Sequence, residues 1–177
     1  MTTAAPVRVL GIDPGLTRCG YAVIEARGSR QLTALALGVI RTPPTDALPQ
    51  RLAALKLELA ALIAEFQPHA VAVEQVFFQV NVRTAMSVGQ ASGLALAEAA
   101  AAGCDVMQYT PNQVKNAVAG YGGADKLQVQ KMVQQRLGLS RVPEPPDAAD
   151  AAALELCHLA MAPLAASMAH SRAAAVR

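Results

Sequence analysis

Val7, Val9, Leu10 and Ile12 form an apolar run that predicts a buried strand over 7–13. It ends on Asp13, where Pro14-Gly15 stops the strand and forces a tight turn. A second apolar run, Tyr21-Ala22-Val23-Ile24, follows after a short loop, which is hairpin spacing and predicts a paired strand over 20–25. Leu32–Arg41 reads as a third strand after the turn at Gly28-Ser29-Arg30. Leu48, Leu52, Leu55, Leu59, Leu62 and Phe66 then recur at three- and four-residue steps, the spacing of an amphipathic helix that Pro68 ends. Ala70-Val71-Ala72-Val73 is a short buried strand, and it too ends on an acid, Glu74.

Thr84–Ala102 predicts a long helix with small or apolar residues nearly all round. A helix without a polar face is buried on both sides, one against the sheet and the other against a second subunit. Cys104–Tyr109 predicts a fifth strand, and Thr110-Pro111 starts a helix with Thr110 as N-cap. Gly120-Tyr121-Gly122-Gly123 is a break, Asp125–Leu137 a further helix, and Asp147 to about Ala162 the last. The result is an α/β protein: a five-stranded mixed sheet flanked by helices. Three strands are joined by hairpins, and the later two, each following a helix, run parallel to the first. Residues 1–166 are expected to form one domain, with 167–177 a disordered tail.

Composition narrows the class. The chain is 53% hydrophobic but only 3% aromatic, because much of the apolar content is alanine, which favours close-packed helices. No apolar run is long enough to predict a membrane span, and residues 1–6 lack a secretory pattern. Cys19, Cys104 and Cys157 are too scattered for a disulfide framework or a zinc site, so a reducing cytoplasm fits. The net charge of +2 permits a nucleic-acid partner without requiring one.

The acids carry the candidate chemistry. If the strands ending in Asp13 and Glu74 are neighbours, the two carboxylates stand side by side at the edge where parallel sheets bind ligands. Asp147 and Asp150, three apart, share one helix face. Either of these alone could simply complement the helix dipole, and Asp13 alone could cap its own turn. Four converging carboxylates instead suit hard divalent cations such as Mg²⁺. Two such ions about 3.5–4 Å apart serve the attacking and leaving oxygens of phosphoryl transfer. No P-loop and no Ser-His-Asp arrangement competes, and His158 is expected to be packed rather than ligating.

Lys115 and Lys126 bracket the glycine-rich break, and Lys131 follows. On composition they are surface lysines; beside a metal site they become phosphate contacts. Phe77 and Phe78 lie in a loop just beyond Glu74, where an aromatic either stacks on an unpaired base or plugs the loop from beneath.

Five segments in order, Leu10-Gly-Ile-Asp13-Pro-Gly15, Val73-Glu74-Gln-Val-Phe77, Gln113-Val-Lys115, Lys126-Leu-Gln-Val-Gln130 and Asp147-Ala-Ala-Asp150-Ala151, resemble the RuvC family of Holliday junction resolvases. The match runs from about Val7 to Ala162. The resemblance implies an RNase H-like fold and a homodimer that binds four-way junction DNA. It implies paired nicks dependent on Mg²⁺ or Mn²⁺, in recombination and DNA repair alongside a RuvA–RuvB branch-migration complex. It also implies that Asp13, Glu74, Asp147 and Asp150 hold the metals, that Lys115 and Lys126 contact DNA, and that Phe77 acts at the junction centre. One chain has one carboxylate cluster while resolution takes two symmetric cuts, so a two-fold dimer through helix 84–102 suits the substrate.

Two other readings remain at this level. Asp13-Pro-Gly-Leu-Thr17 also fits the phosphate loop of an actin-like ATPase or sugar kinase, although those enzymes need two such lobes. A non-catalytic junction-binding module is the other, and negative charge kept facing DNA argues against it.

Overall fold

The computed structural model describes residues 5–28, 31–76 and 82–175. Five strands, β1 (Val7–Asp13), β2 (Arg18–Arg27), β3 (Gln31–Arg41), β4 (Ala70–Glu74) and β5 (Asp105–Tyr109), form one sheet in the order β3-β2-β1-β4-β5. β1 pairs antiparallel with β2 and parallel with β4, and β5 is parallel to β4. The expected mixed sheet is therefore present. β2 starts earlier than its apolar core suggests, at Arg18, because its pairing with β1 and β3 carries past the hydrophobic run.

The period of two along each strand sorts the side chains onto two unlike faces. Leu10, Ile12, Val23, Val71 and Val73 face α1 (Leu48–Phe66) and α2 (Val82–Ala101), where they pack on Leu55, Leu59, Leu62, Ala91, Ala95 and Ala99. Val9, Ala22, Ile24, Ala70 and Ala72 face α3 (Pro111–Ala119), α4 (Lys126–Leu137) and α5 (Pro146–Ala175). The first face is large and branched; the second is mostly small. Burying each of the larger side chains is worth about 1.5–3 kcal/mol. The smaller face admits a helix at close range.

That helix is α5. A Cβ added to Gly20 would stand 2.1 Å from the Asp147 carbonyl oxygen, and one added to Gly11 would stand 2.1 Å from that of Ala151. The α5 backbone thus rests on the bare backbone of β2 and β1. One turn further along, Glu155 is fully buried, and its Oε1 accepts the Gly11 and Ile24 N–H groups at 3.1 Å each. Ala148, Ala149, Ala151, Ala152 and Ala153 are all buried, and none carries a side chain long enough to hold the helix off.

α5 continues to Ala175, so residues 167–175, expected as a frayed tail, extend the helix; alanine is the strongest helix former and recurs throughout this stretch. Among the described residues α2 packs on one side only: Ala91, Ala95 and Ala99 are buried, whereas Met86 is exposed and a Cβ added to Gly89 or Gly93 would meet none of their atoms within 4 Å. No described helix is long and apolar enough to cross a membrane.

Candidate active site

Asp13 and Glu74 are the last residues of β1 and β4, strands paired in parallel with Ile12 opposite Val73. Alternation carries both acids to the small face, the side on which α5 lies. Asp13 is paired with Gly20, the residue on which the Asp147 backbone rests. The same contact that seats α5 therefore brings its first turn beside the strand ends.

Asp13, Glu74 and Asp150 line one cleft of ≈ 290 Å³ together with Lys115 and Lys126. Pro111, Val114, Val129, Ala153 and Leu154 form its apolar wall. Each lysine owes its place to a capped helix. Thr110 caps α3 and Asp125 caps α4, each in a reciprocal box with the glutamine three residues on, Gln113 and Gln128. Asp125, expected inside the helix, is its cap. Val114 and Val118 anchor α3 in the core, which leaves Lys115 at the cleft.

The electrostatics are those of crowded acids. Burial, then the charges of Glu74 and Asp150, push the Asp13 carboxyl up to about 8, and Asp13 and Glu74 share a hydrogen bond. Burial also raises Glu74 and, against the pull of Lys126, Asp150. Asp147 behaves differently: burial pushes it up, but hydrogen bonding and charge from Arg18 outweigh that and hold it below the usual range. Lys126 Nζ lies 2.6 Å from Asp150 Oδ2. Arg18 Nε and Nη2 both donate to Asp147 Oδ2, at 3.1 and 2.5 Å.

These two ion pairs account for a further feature. Among the described residues, no three His, Cys, Asp or Glu side chains stand as a ready cation cage. Asp150 is drawn to Lys126, and Asp147 is turned onto Arg18 rather than lining the cleft. The donor set is nonetheless all oxygen and short of positive charge, as a hard divalent ion requires. The residues present fit such an ion.

Of the sequence-predicted positions, Asp13, Glu74, Asp150, Lys115 and Lys126 meet in the cleft, and Asp147 stands beside it. Lys131 does not join them: Val129 and Val133 turn inward on α4, which leaves Lys131 exposed on the outer side. Phe77 and Phe78 lie outside the described residues. His158 is packed as expected; its Nδ1 is 2.8 Å from the Tyr109 hydroxyl, and burial lowers it. Sequence reasoning passed over Arg18 and Glu155. A cation just after Asp-Pro-Gly was the available signal for Arg18; Glu155 gave none, since one glutamate in a helix reads as ordinary surface.

A mixed five-stranded sheet with this cleft at the carboxyl ends of its parallel strands is the architecture of a metal-dependent nuclease of RNase H-like fold. The family model for crossover junction endodeoxyribonuclease RuvC matches residues 9–158. The crossover junction endodeoxyribonuclease RuvC of Salinispora arenicola is 55% identical over 153 residues, spanning 86% of this chain and 87% of that one. The RuvC of Thermus thermophilus, solved in complex with Holliday junction substrate, superposes with a TM-score of 0.85 at 38% identity, over 90% of this chain and 96% of that one. The yeast mitochondrial Holliday junction resolvase Ydc2 shares the fold, with a TM-score of 0.65 at 16% identity over 87% of this chain and 79% of that one. The chain belongs to the RuvC family of crossover junction endodeoxyribonucleases. That membership sets aside the kinase and binding-module readings.

Proposed function

We propose that this endonuclease resolves four-way DNA junctions by paired, symmetric nicks, with Asp13, Glu74, Asp147 and Asp150 as the ligands of two Mg²⁺ or Mn²⁺ ions. The observation that carries the assignment is the meeting of Asp13, Glu74 and Asp150 with Lys115 and Lys126 in one cleft. Bound there, the metals would supply an activated water and stabilise the departing 3′-oxygen.

The chain's own residues supply the rest. Lys126 and Lys115 neutralise the phosphates of the strand to be cut and hold its register. The wall of Val114, Val129 and Leu154 excludes bulk water, which strengthens every charge interaction within the cleft. The protein acts as a homodimer through the outer side of α2, where Met86, Gly89 and Gly93 leave an open apolar surface. Support for a cytoplasmic setting and for work alongside a RuvA–RuvB complex comes from family membership. Phe77 or Phe78 would stack on bases opened at the junction centre.

The test is nicking of a synthetic four-way junction with Mg²⁺. The unmodified protein cuts strands of like polarity in pairs, and Asp13→Asn loses more than about 100-fold in rate, at least as much as loss of a metal's supporting partner costs. Equal activity in the two would refute the assignment.

A further inference from the structure

Arg18 is used by neither the family motifs nor the mechanism above, yet it holds one of the four acids. Its Nε and Nη2 converge on the same oxygen, Asp147 Oδ2. That is not the parallel two-oxygen fork by which arginine grips a carboxylate most firmly, and it leaves Asp147 Oδ1 outside the pair. The arrangement repeats one turn along α5, where Lys126 takes only Oδ2 of Asp150. Both cations are partly solvated: the side chains are 38% exposed for Arg18 and 62% for Lys126. Ion pairs of that exposure are weak and easily exchanged.

We propose that Arg18 is an intramolecular counter-ion that occupies Asp147 in the metal-free protein and competes with the divalent ion for it. The inference rests on the metal-dependent reading of the cleft. Partial burial near the like charges of Asp13 and Asp150 makes an uncompensated Asp147 costly. A tethered guanidinium removes that cost while no metal is bound. A divalent ion carries twice the charge and binds oxygen at shorter range, so it displaces the guanidinium. Arg18 is then released at the edge of the cleft as a free positive charge. Two divalent ions and the freed guanidinium thereby make the site more positive than it is while Arg18 is paired with Asp147. A DNA phosphate is attracted more strongly in the metal-bound state.

The alternative role for Arg18, orienting Asp147 as a ligand, gives the opposite sign. Removing an orienting partner weakens metal binding, whereas removing a competitor tightens it. Arg18→Gln, with Arg18→Ala as a second variant, separates the two by titration calorimetry with Mn²⁺. The expected result is tighter Mn²⁺ binding by about threefold or more. A lower melting temperature in EDTA and a larger Mn²⁺-induced rise should accompany it. Unchanged or weaker Mn²⁺ affinity in the variants, with binding by the unmodified protein intact, overturns the proposal alone. Failure of the unmodified protein to bind Mn²⁺ at all overturns it together with the metal-dependent reading.

Discussion

Gly20 and Asp147 touch through main chain: the place a Cβ would take on Gly20 is 2.1 Å from the Asp147 carbonyl oxygen. Gly20 is also the β2 partner of Asp13. One missing side chain thus sets how close the helix bearing two of the acids comes to the strand bearing the first.

Gly20→Ala tests this. No flexible side chain can give way, so the helix must lift. Overpacking of this kind costs about 1–3 kcal/mol, which for a chain of this size lowers the melting temperature by roughly 2–12 °C. Nicking should fall further than the lost stability explains, because the lift moves Asp147 and Asp150 away from Asp13. Thermal melting beside junction cleavage at a temperature where the variant is fully folded reads both. Cleavage retained at the wild-type rate would mean that this contact does not set the site.

The acids at the strand ends were legible because each terminates an apolar run, and strand periodicity then dictates the face they share. The seat of α5 was not. Glycine inside a strand reads locally as weakness, and what fills the space over Gly11 is a helix 144 positions away at Glu155. Arg18 was hidden for the same reason, its partner lying 129 positions on. Lys131 stands apart from the cleft for a different one. Sequence proximity to Lys126 suggested a shared surface, but the helical turn carries a residue five positions on to another side.

Asp13 gives a prediction for the metal-free protein. Its carboxyl is pushed up from 3.8 to about 8 in the fold. A raised acid favours the folded state fully below its unfolded value, and the benefit is lost as pH climbs through about 8. Melting in EDTA should therefore fall between about pH 5 and pH 9. Asp13→Asn, which cannot ionise, should flatten that decline and melt higher than wild type at pH 8–9, while losing nicking. An unchanged profile would show that Asp13 is not buried among like charges.

Glu155 offers a second titration, away from the cleft. Burial raises it well above 4.5, and its Oε2 is buried without a partner among the described residues. Burial therefore favours the neutral carboxyl, whose contribution, full below about 4.5, declines as pH rises toward its folded value. Glu155→Gln keeps an oxygen for the Gly11 and Ile24 N–H groups without ionising, so its stability should depend less on pH. Glu155→Ala strands both donors and leaves a cavity, costing about 2–5 kcal/mol. Denaturant midpoints for the two variants from pH 4 to 8 check this, and equal losses in both would rule it out.

The outer side of α2 predicts an assembly effect. Gly93→Arg adds a charged side chain where an added Cβ meets no atom of the described residues within 4 Å, so the isolated fold should tolerate it. Sedimentation should then show monomer in place of dimer, with nicks on a four-way junction no longer paired. A variant that still sediments as a dimer would move the interface elsewhere.

The order of the elements has a consequence for synthesis. Asp13 and Glu74 emerge from the ribosome well before α5, the last element of the chain. Until that helix docks on Gly11 and Gly20, a nascent chain has only half its acids and no floor to the cleft. If Asp147 and Asp150 are the proposed ligands, a product that stops before residue 146 should not nick a four-way junction.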